Sequence, residues 1–187
     1  MDKRTLVERA QRGDHDAFAE LAGASVARLD AAARLILRDP ELARDAVQES
    51  FIRAWRDLAG LRDPDKFDAW LRRLTVNACL SIIRRHKHRA IEVELTPLDG
   101  SAVVDIASAI VDRNLLDEAL RLLDPEWRAV VVLHYFLGMP LPDVAGTLGI
   151  PLGTAKSRLH RSILAMRQTV GVDETTPGSA VPGGQLA

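Results

Sequence analysis

One cysteine stands in the 187 residues of this chain, which excludes an internal disulfide framework and a cysteine-rich zinc site. Cys79 lies among Val76, Ala78, Leu80 and Ile82, so its thiol reads as a buried, inert group rather than a nucleophile. No run approaches the roughly 18 apolar residues needed to span a bilayer, and the polar start MDKRTLVERAQRGD is no secretory signal. A cytoplasmic protein without direct membrane insertion is expected. Phosphate-binding loops, nucleophile–base pairs and metal-ligand sets are also missing, so no enzymatic activity, cofactor or metal is expected. His86 and His88 do not alter this, because the Arg and Lys around them would repel a cation and no Cys or carboxylate lies nearby. Strand alternation and internal repeats are absent too, which leaves an all-α fold.

A formal net charge of −1 would seem to argue against nucleic acid, but the charge is segregated. Residues 71–91 hold Arg72, Arg73, Arg84, Arg85, Lys87 and Arg89 and no acid. Residues 127–172 hold five cations against Asp143 alone, and residues 92–126 between them hold nine acids against Arg113 and Arg121. Phosphate affinity follows local charge, since counterions are released only where cations meet the backbone and screening sets in within about 10 Å. Two basic islands divided by an acidic stretch predict two separate DNA contacts.

The second island lies in the stretch Leu141 to Arg167, which reads as a helix-turn-helix whose second helix carries four cations and no acid. Pro142 suits a first helical position, Val144, Ala145 and Leu148 make an inward stripe, and Gly149 supplies the turn residue tolerant of positive φ. Ile150 and Leu152 are expected to plug the corner. A second helix then begins at Gly153, with Ala155, Leu159, Ile163 and Met166 buried. Its opposite face presents Thr154, Ser157, Arg158 and Arg161, with Lys156 and His160 on the flanks. Such a row fits the major groove, where Arg reads guanine bidentately and Ser or Thr contacts bases or phosphates. The bland reading is a surface helix with a solvated basic side, but the short helix, glycine turn and acid-free second helix occur together.

Two constellations mark the first half. In ELARDAVQESFIRAWRDL, Val47, Phe51, Ala54, Trp55 and Leu58 form a buried stripe while Asp45, Gln48 and Glu49 share another face, able to dock a basic partner or simply be solvated. In AWLRRLTVNACLSIIRRHKHR, Leu71, Leu74, Ala78 and Ile82 point inward, and Trp70, Arg73, Asn77, Ser81 and Arg84 recur along one face beside Arg85. An aromatic, an amide and cations together suit unpaired DNA, where bases stack while Arg neutralises phosphate. Trp70 serves equally well as a core residue.

Apolar spacing predicts helices over Leu6–Leu21, Val26–Leu37, Glu41–Leu58 and Phe67–Arg85. Four segments follow: a helical domain over 1–90, an acidic flexible linker over 91–111 with a short helix near its end, a second helical domain over 112–170, and a disordered tail over 171–187. Asp124-Pro125-Glu126 is expected to open a helix as N-cap, first-turn proline and dipole-matched acid, with Gly138 closing it.

Taken in order, DAVQESFIRAW, FDAWLRRLTVNACLSIIRR and LLDPEWRAVVVLHYFLGMPLPDVAGTLGIPLGTAKSRLHRSI resemble the extracytoplasmic-function (ECF) group of bacterial sigma factors over almost all of residues 5–168. The resemblance implies a promoter-specificity subunit that binds core RNA polymerase, recognises two promoter elements and helps open DNA, commonly in stress responses and under an anti-sigma partner. It places Asp45, Gln48 and Glu49 on the clamp helices of the largest polymerase subunit. The loop Ala59 to Lys66 and the face around Asn77 fall to the minus-ten element. Lys156, Arg158 and Arg161 fall to the minus-thirty-five element, in a domain that sits on the flap of the second-largest subunit. The loop has no aromatic before Phe67, and the tail is too short for an extra folded domain. The alternative is a helix-turn-helix regulator that dimerises through its N-terminal helices and binds an operator, a reading that gives the Trp70, Asn77 and Arg84 face no purpose. A protein-binding helical module would not require two basic islands.

Overall fold

The structure is a computed structural model that describes residues 2–92 and 116–170, with the backbone alone for 87–92, 169 and 170. Among these residues it is all-α. Helices α1 (Lys3–Gln11), α2 (His15–Leu37), α3 (Pro40–Asp57) and α4 (Phe67–Glu92) form the first unit, with two 3-10 turns, Leu58–Gly60 and Pro64–Lys66, between α3 and α4. Residues 116–121 are helical. Then come α5 (Pro125–Val131), which widens into a π-turn over Val132–Phe136, α6 (Leu141–Leu148) and α7 (Leu152–Val170). The expected tail, and the expected linker beyond residue 92, lie outside the described residues.

The first helical boundary differs from the periodicity reading. The chain breaks at Gly13, whose φ is +92°, and Asp14 caps α2 by accepting from the Ala17 N–H at 3.0 Å. The run AGASVARLDAAARL is rich enough in alanine to carry Gly23 inside a continuous helix. Helix α4 also passes the expected end at Arg85 and enters the expected linker, since no glycine or proline stands between Pro64 and Pro97. Between α2 and α3 the corner is tight. Arg38 takes the left-handed conformation, φ 59°, and Asp39 then accepts from the N–H groups of Glu41 (2.8 Å) and Leu42 (3.0 Å), with Pro40 opening α3.

Small residues decide how closely α3 and α4 meet. Ala43, Ala46, Ser50 and Ala54 are all buried on α3. The Thr75 hydroxyl donates to Ser50 Oγ at 3.0 Å, and Ser50 donates on to the Val47 carbonyl at 2.7 Å, so both buried hydroxyls are satisfied. Around this seam Leu58, Phe67, Leu71 and Val76 are fully buried. Truncation of such a residue, Leu71→Ala for instance, costs about 2–5 kcal/mol.

Trp55 reaches the other way. Its ring stacks on His15 at 4.3 Å and lies 5.1 Å from Phe18, so the predicted stripe on α3 is closed by the start of α2. The C-terminal helices pack on each other, α5 and α6 both against α7, and also on the first unit, where α5 and the π-turn meet α2 while α6 meets α4. One buried cluster accordingly contains Ile36 and Val76 together with Val130, Leu133, Leu137 and Val144.

Candidate nucleic-acid interface

Helix α4 presents the stripe expected of it. Arg73, Arg84 and Arg85 are exposed, and Asn77 and Ser81 are half-buried on the same side. Trp70 is half-buried, its ring 6.2 Å from that of the buried Phe67, so most of it packs while an edge meets solvent. The inward positions Leu71, Ala78 and Ile82 are buried, joined by Thr75, Val76, Cys79 and Leu80. Burial pushes the Cys79 thiol up to about 12, which removes its nucleophilic form at neutral pH. His86 is exposed at the end of this face, and the side chains of Lys87, His88 and Arg89 lie outside the described residues.

The loop ahead of α4 is held by helix α1, a role that sequence periodicity does not reveal. Lys3 pairs with Asp68 at 2.6 Å and Arg4 with Asp65 at 2.8 Å. The Gln11 amide donates to the carbonyls of Leu61 (2.8 Å) and Leu58 (3.2 Å). Inside the loop, Asp63 accepts from the Asp65 N–H at 3.1 Å, and Lys66 remains exposed with Asp63 at 3.7 Å. These contacts fix the loop backbone within the chain itself.

On α3, Asp45, Gln48 and Glu49 are exposed together. Asp45 and Glu49 also line a groove of about 360 Å³ whose other wall carries Ser81 and Arg85 of α4. The acidic patch and the end of the basic stripe thus share one cleft. Arg53 pairs with Glu49 at 2.6 Å, so Glu49 is partly neutralised; no ion pair joins Asp45 to another described residue.

The helix-turn-helix holds its expected turn: Gly149 closes α6 with φ 66°, and the Ile150 N–H reaches the Ala145 carbonyl at 3.0 Å. Val144, Ala145 and Ala155 are buried, Leu148, Leu159 and Met166 are half-buried against the core, and Ile163 is half-buried. Helix α6 opens at Leu141, one residue before Pro142, and α7 opens at Leu152. Leu152, the first residue of α7, is exposed and Ile150 is half-buried, so the two do not plug the corner together as expected. Asp124 stands at the N-cap position but its side chain makes no cap hydrogen bond; its carbonyl takes the Trp127 and Arg128 N–H groups, both at 2.9 Å. Gly138, φ 68°, follows the π-turn, where His134 Nδ1 meets the Met139 carbonyl at 2.8 Å.

The expected DNA-facing row of α7 is not uniform. Lys156, Ser157 and Arg161 are exposed and Thr154 is half-buried. Ser157 donates to the Thr154 carbonyl at 3.0 Å. Arg158 is drawn back: its side chain is 22 % exposed and its Nη2 lies 2.8 Å from Glu126 Oε2 in the first turn of α5. The structure therefore brings Lys156, Ser157 and Arg161 together as solvent-facing groups and sets Arg158 behind them as a brace.

Two family models match the chain in order, sigma-70 region 2 over residues 23–89 and sigma-70 region 4 over residues 113–166. The chain is 34% identical to the RNA polymerase sigma-E factor of Streptomyces avermitilis over 136 residues, covering 73% of this chain and 75% of the relative. It is 34% identical over 162 residues to the ECF sigma factor SigM of Mycobacterium tuberculosis, covering 85% and 80%. It is 28% identical over 174 residues to the ECF sigma factor SigW of Bacillus subtilis, covering 87% and 93%. Among solved structures it resembles CnrH in complex with the cytosolic domain of CnrY, with TM-score 0.66, 26% identity and coverage of 92% of this chain and 99% of that one. The fold is also that of the sigma factor RpoE from Bartonella quintana, crystallised with the anti-sigma factor NepR, with TM-score 0.72, 22% identity and coverage of 84% and 98%.

Proposed function

The chain belongs to the extracytoplasmic-function sigma factors of bacterial RNA polymerase, and from that premise we propose how its surfaces divide the work. As a sigma factor it is a promoter-specificity subunit of transcription initiation and not an enzyme. In our reading Asp45, Gln48 and Glu49 dock on the clamp helices of the largest subunit of core polymerase. Lys66 and the α4 stripe of Trp70, Arg73, Asn77, Ser81, Arg84 and Arg85 hold the opened minus-ten strand. Lys156, Ser157 and Arg161 on α7, with Thr154 beside them and Arg158 behind, meet the minus-thirty-five element while that unit rests on the polymerase flap. The working segments are residues 1–90, 91–111, 112–170 and 171–187, and the site of action is the cytoplasm.

Opening DNA in this way needs no hydrolysis. Unpairing and unstacking cost a few kcal/mol per base, offset where an extruded base stacks and hydrogen-bonds on the protein. The single observation that carries the reading is the cleft that joins the acidic face of α3 to the cationic end of α4. A partner held on the acid side brings nucleic acid to the other. Because CnrH and RpoE were solved with CnrY and NepR, an anti-sigma partner is part of the same proposal. Transcription in vitro tests it: the protein with purified core polymerase is expected to start transcripts at discrete promoters. Neither component alone should do so, and random initiation by the mixture would overturn the assignment.

A further inference from the structure

Gln11 is the last residue of α1, and its side chain reaches across to the loop that precedes α4. Its place is set by the corner behind it. Val7 and Ala10 are buried on the inner side of α1, and Gly13 turns the chain with φ +92°. Asp14 then caps α2 and accepts from Arg9 Nε at 2.8 Å. From this corner the amide donates to the carbonyls of Leu61 at 2.8 Å and Leu58 at 3.2 Å. A side-chain amide has two N–H groups, so two carbonyl partners consume its donor capacity and fix which way round it stands.

Those two carbonyls lie where the path of the loop is decided. Leu58 is buried, and its carbonyl also takes the Leu61 N–H at 3.0 Å to close the first 3-10 turn. Beyond Leu61 the chain runs out to the exposed Arg62, returns at the buried Pro64, and goes out again to the exposed Asp65 and Lys66 before Phe67 enters the core. Among the described residues nothing packs near Gly60. The ion pairs Lys3–Asp68 and Arg4–Asp65 also tie α1 to this region, but both are exposed and screened, so each contributes little. Of the contacts from α1, the half-buried Gln11 amide therefore holds the loop most firmly. A strand that meets a loop already held is spared the entropy that a free loop would lose on binding.

We propose that Gln11 is a positioning residue for strand capture, acting through the loop and not on the DNA: its amide clamps Leu58 and Leu61 so that Arg62 and Lys66 meet the unpaired minus-ten strand on a backbone already in place. The clamp is a property of the chain alone; its use rests on the assignment of this loop to the minus-ten strand.

Gln11→Met keeps the length of the side chain and removes both donors, and Gln11→Glu keeps its shape while setting an acceptor against two carbonyls. Two measurements on each variant separate the clamp from its use. In the full chain, amide hydrogen exchange over residues 59–66 should quicken roughly tenfold, with α3 and the buried part of α4 unchanged. In the complex with core polymerase, the probe is a single strand from the minus-ten region of a promoter at which that complex starts transcripts. Its Kd should rise roughly tenfold, while the Kd for core polymerase and for duplex DNA carrying the upstream element stays as in the natural chain. A side chain that merely stabilised the fold would not single out the strand. Unchanged exchange over 59–66 in both variants would overturn the clamp. Faster exchange with unaltered strand affinity would overturn the positioning role. If the complex of the natural chain holds the minus-ten strand no better than a scrambled one, the promoter reading falls and takes that role with it, while the exchange result still decides the clamp.

Discussion

Arg158 Nη2 and Glu126 Oε2 stand 2.8 Å apart, an ion pair that ties the middle of α7 to the first turn of α5. One guanidinium arm is engaged and the side chain is largely covered, so the bidentate geometry that reads guanine is not available to Arg158 without breaking the pair. Arg161, one turn along and exposed with no ion pair to another described residue, has that freedom.

The two arginines should therefore separate experimentally. Arg161→Ala is expected to cost about 1–3 kcal/mol of binding to the upstream element and to relax preference at one base position. Arg158→Ala should weaken binding without changing the preferred sequence. A shift in preference on Arg158→Ala, measured by selection from a randomised upstream element on the polymerase complex, would return Arg158 to base reading.

Asp45 and Glu49 share a face, but Arg53 sits 2.6 Å from Glu49 and leaves Asp45 as the less compensated charge. Asp45→Lys is expected to lower affinity for core polymerase on the order of a hundredfold, as like charges meet across the interface. Glu49→Lys should cost less in direct binding and also release Arg53. Calorimetric titration with core enzyme checks the order of the two effects, and equal losses would deny Arg53 any screening role.

Much of this was legible from the chain because it depends on neighbours in sequence. Gly149 must take a positive φ to turn α6 into α7, Val144 and Ala145 fall inward by helical spacing, and the α4 stripe repeats along one helix. What was hidden depends on distant residues. Glu126 gave no sign that it would hold Arg158, and exposed charges such as Lys3 and Arg4 follow no periodicity that points to Asp68 and Asp65. The boundary at Gly13 was misplaced for a different reason: Gly13 reads as punctuation, yet apolar spacing runs across it in phase and suggests one helix over Leu6–Leu21, and the Asp14 cap with the positive φ of Gly13 shows that the chain breaks there.

Cys79 is fully buried and its thiol is pushed up to about 12 by that burial. Alkylation of the native protein near pH 8 is therefore expected to be slower than that of the denatured chain by orders of magnitude, limited by unfolding. Cys79→Ser should destabilise by about 1–3 kcal/mol if the hydroxyl finds no partner in place of the thiol. Mass spectrometry after a timed reaction, with and without denaturant, measures the first. Rapid modification in the folded state would mean that α4 opens locally.

Asp14 caps α2, and its carboxyl is held below the usual carboxylate range by the hydrogen bond from the Ala17 N–H first and by Arg9 next. A lowered value in the folded chain means the unfolded chain binds the proton more readily as acid is added. The stabilisation is thus present above the ordinary carboxylate value and is lost as pH falls through the folded one. Asp14→Asn keeps a capping oxygen but neither titrates nor pairs with Arg9. The stability gap between the natural chain and this variant, read from urea midpoints, should be constant above about pH 5 and narrow toward about pH 3. A gap of the same size at both ends would show that the charge on Asp14 contributes nothing and that the cap works through its oxygen alone.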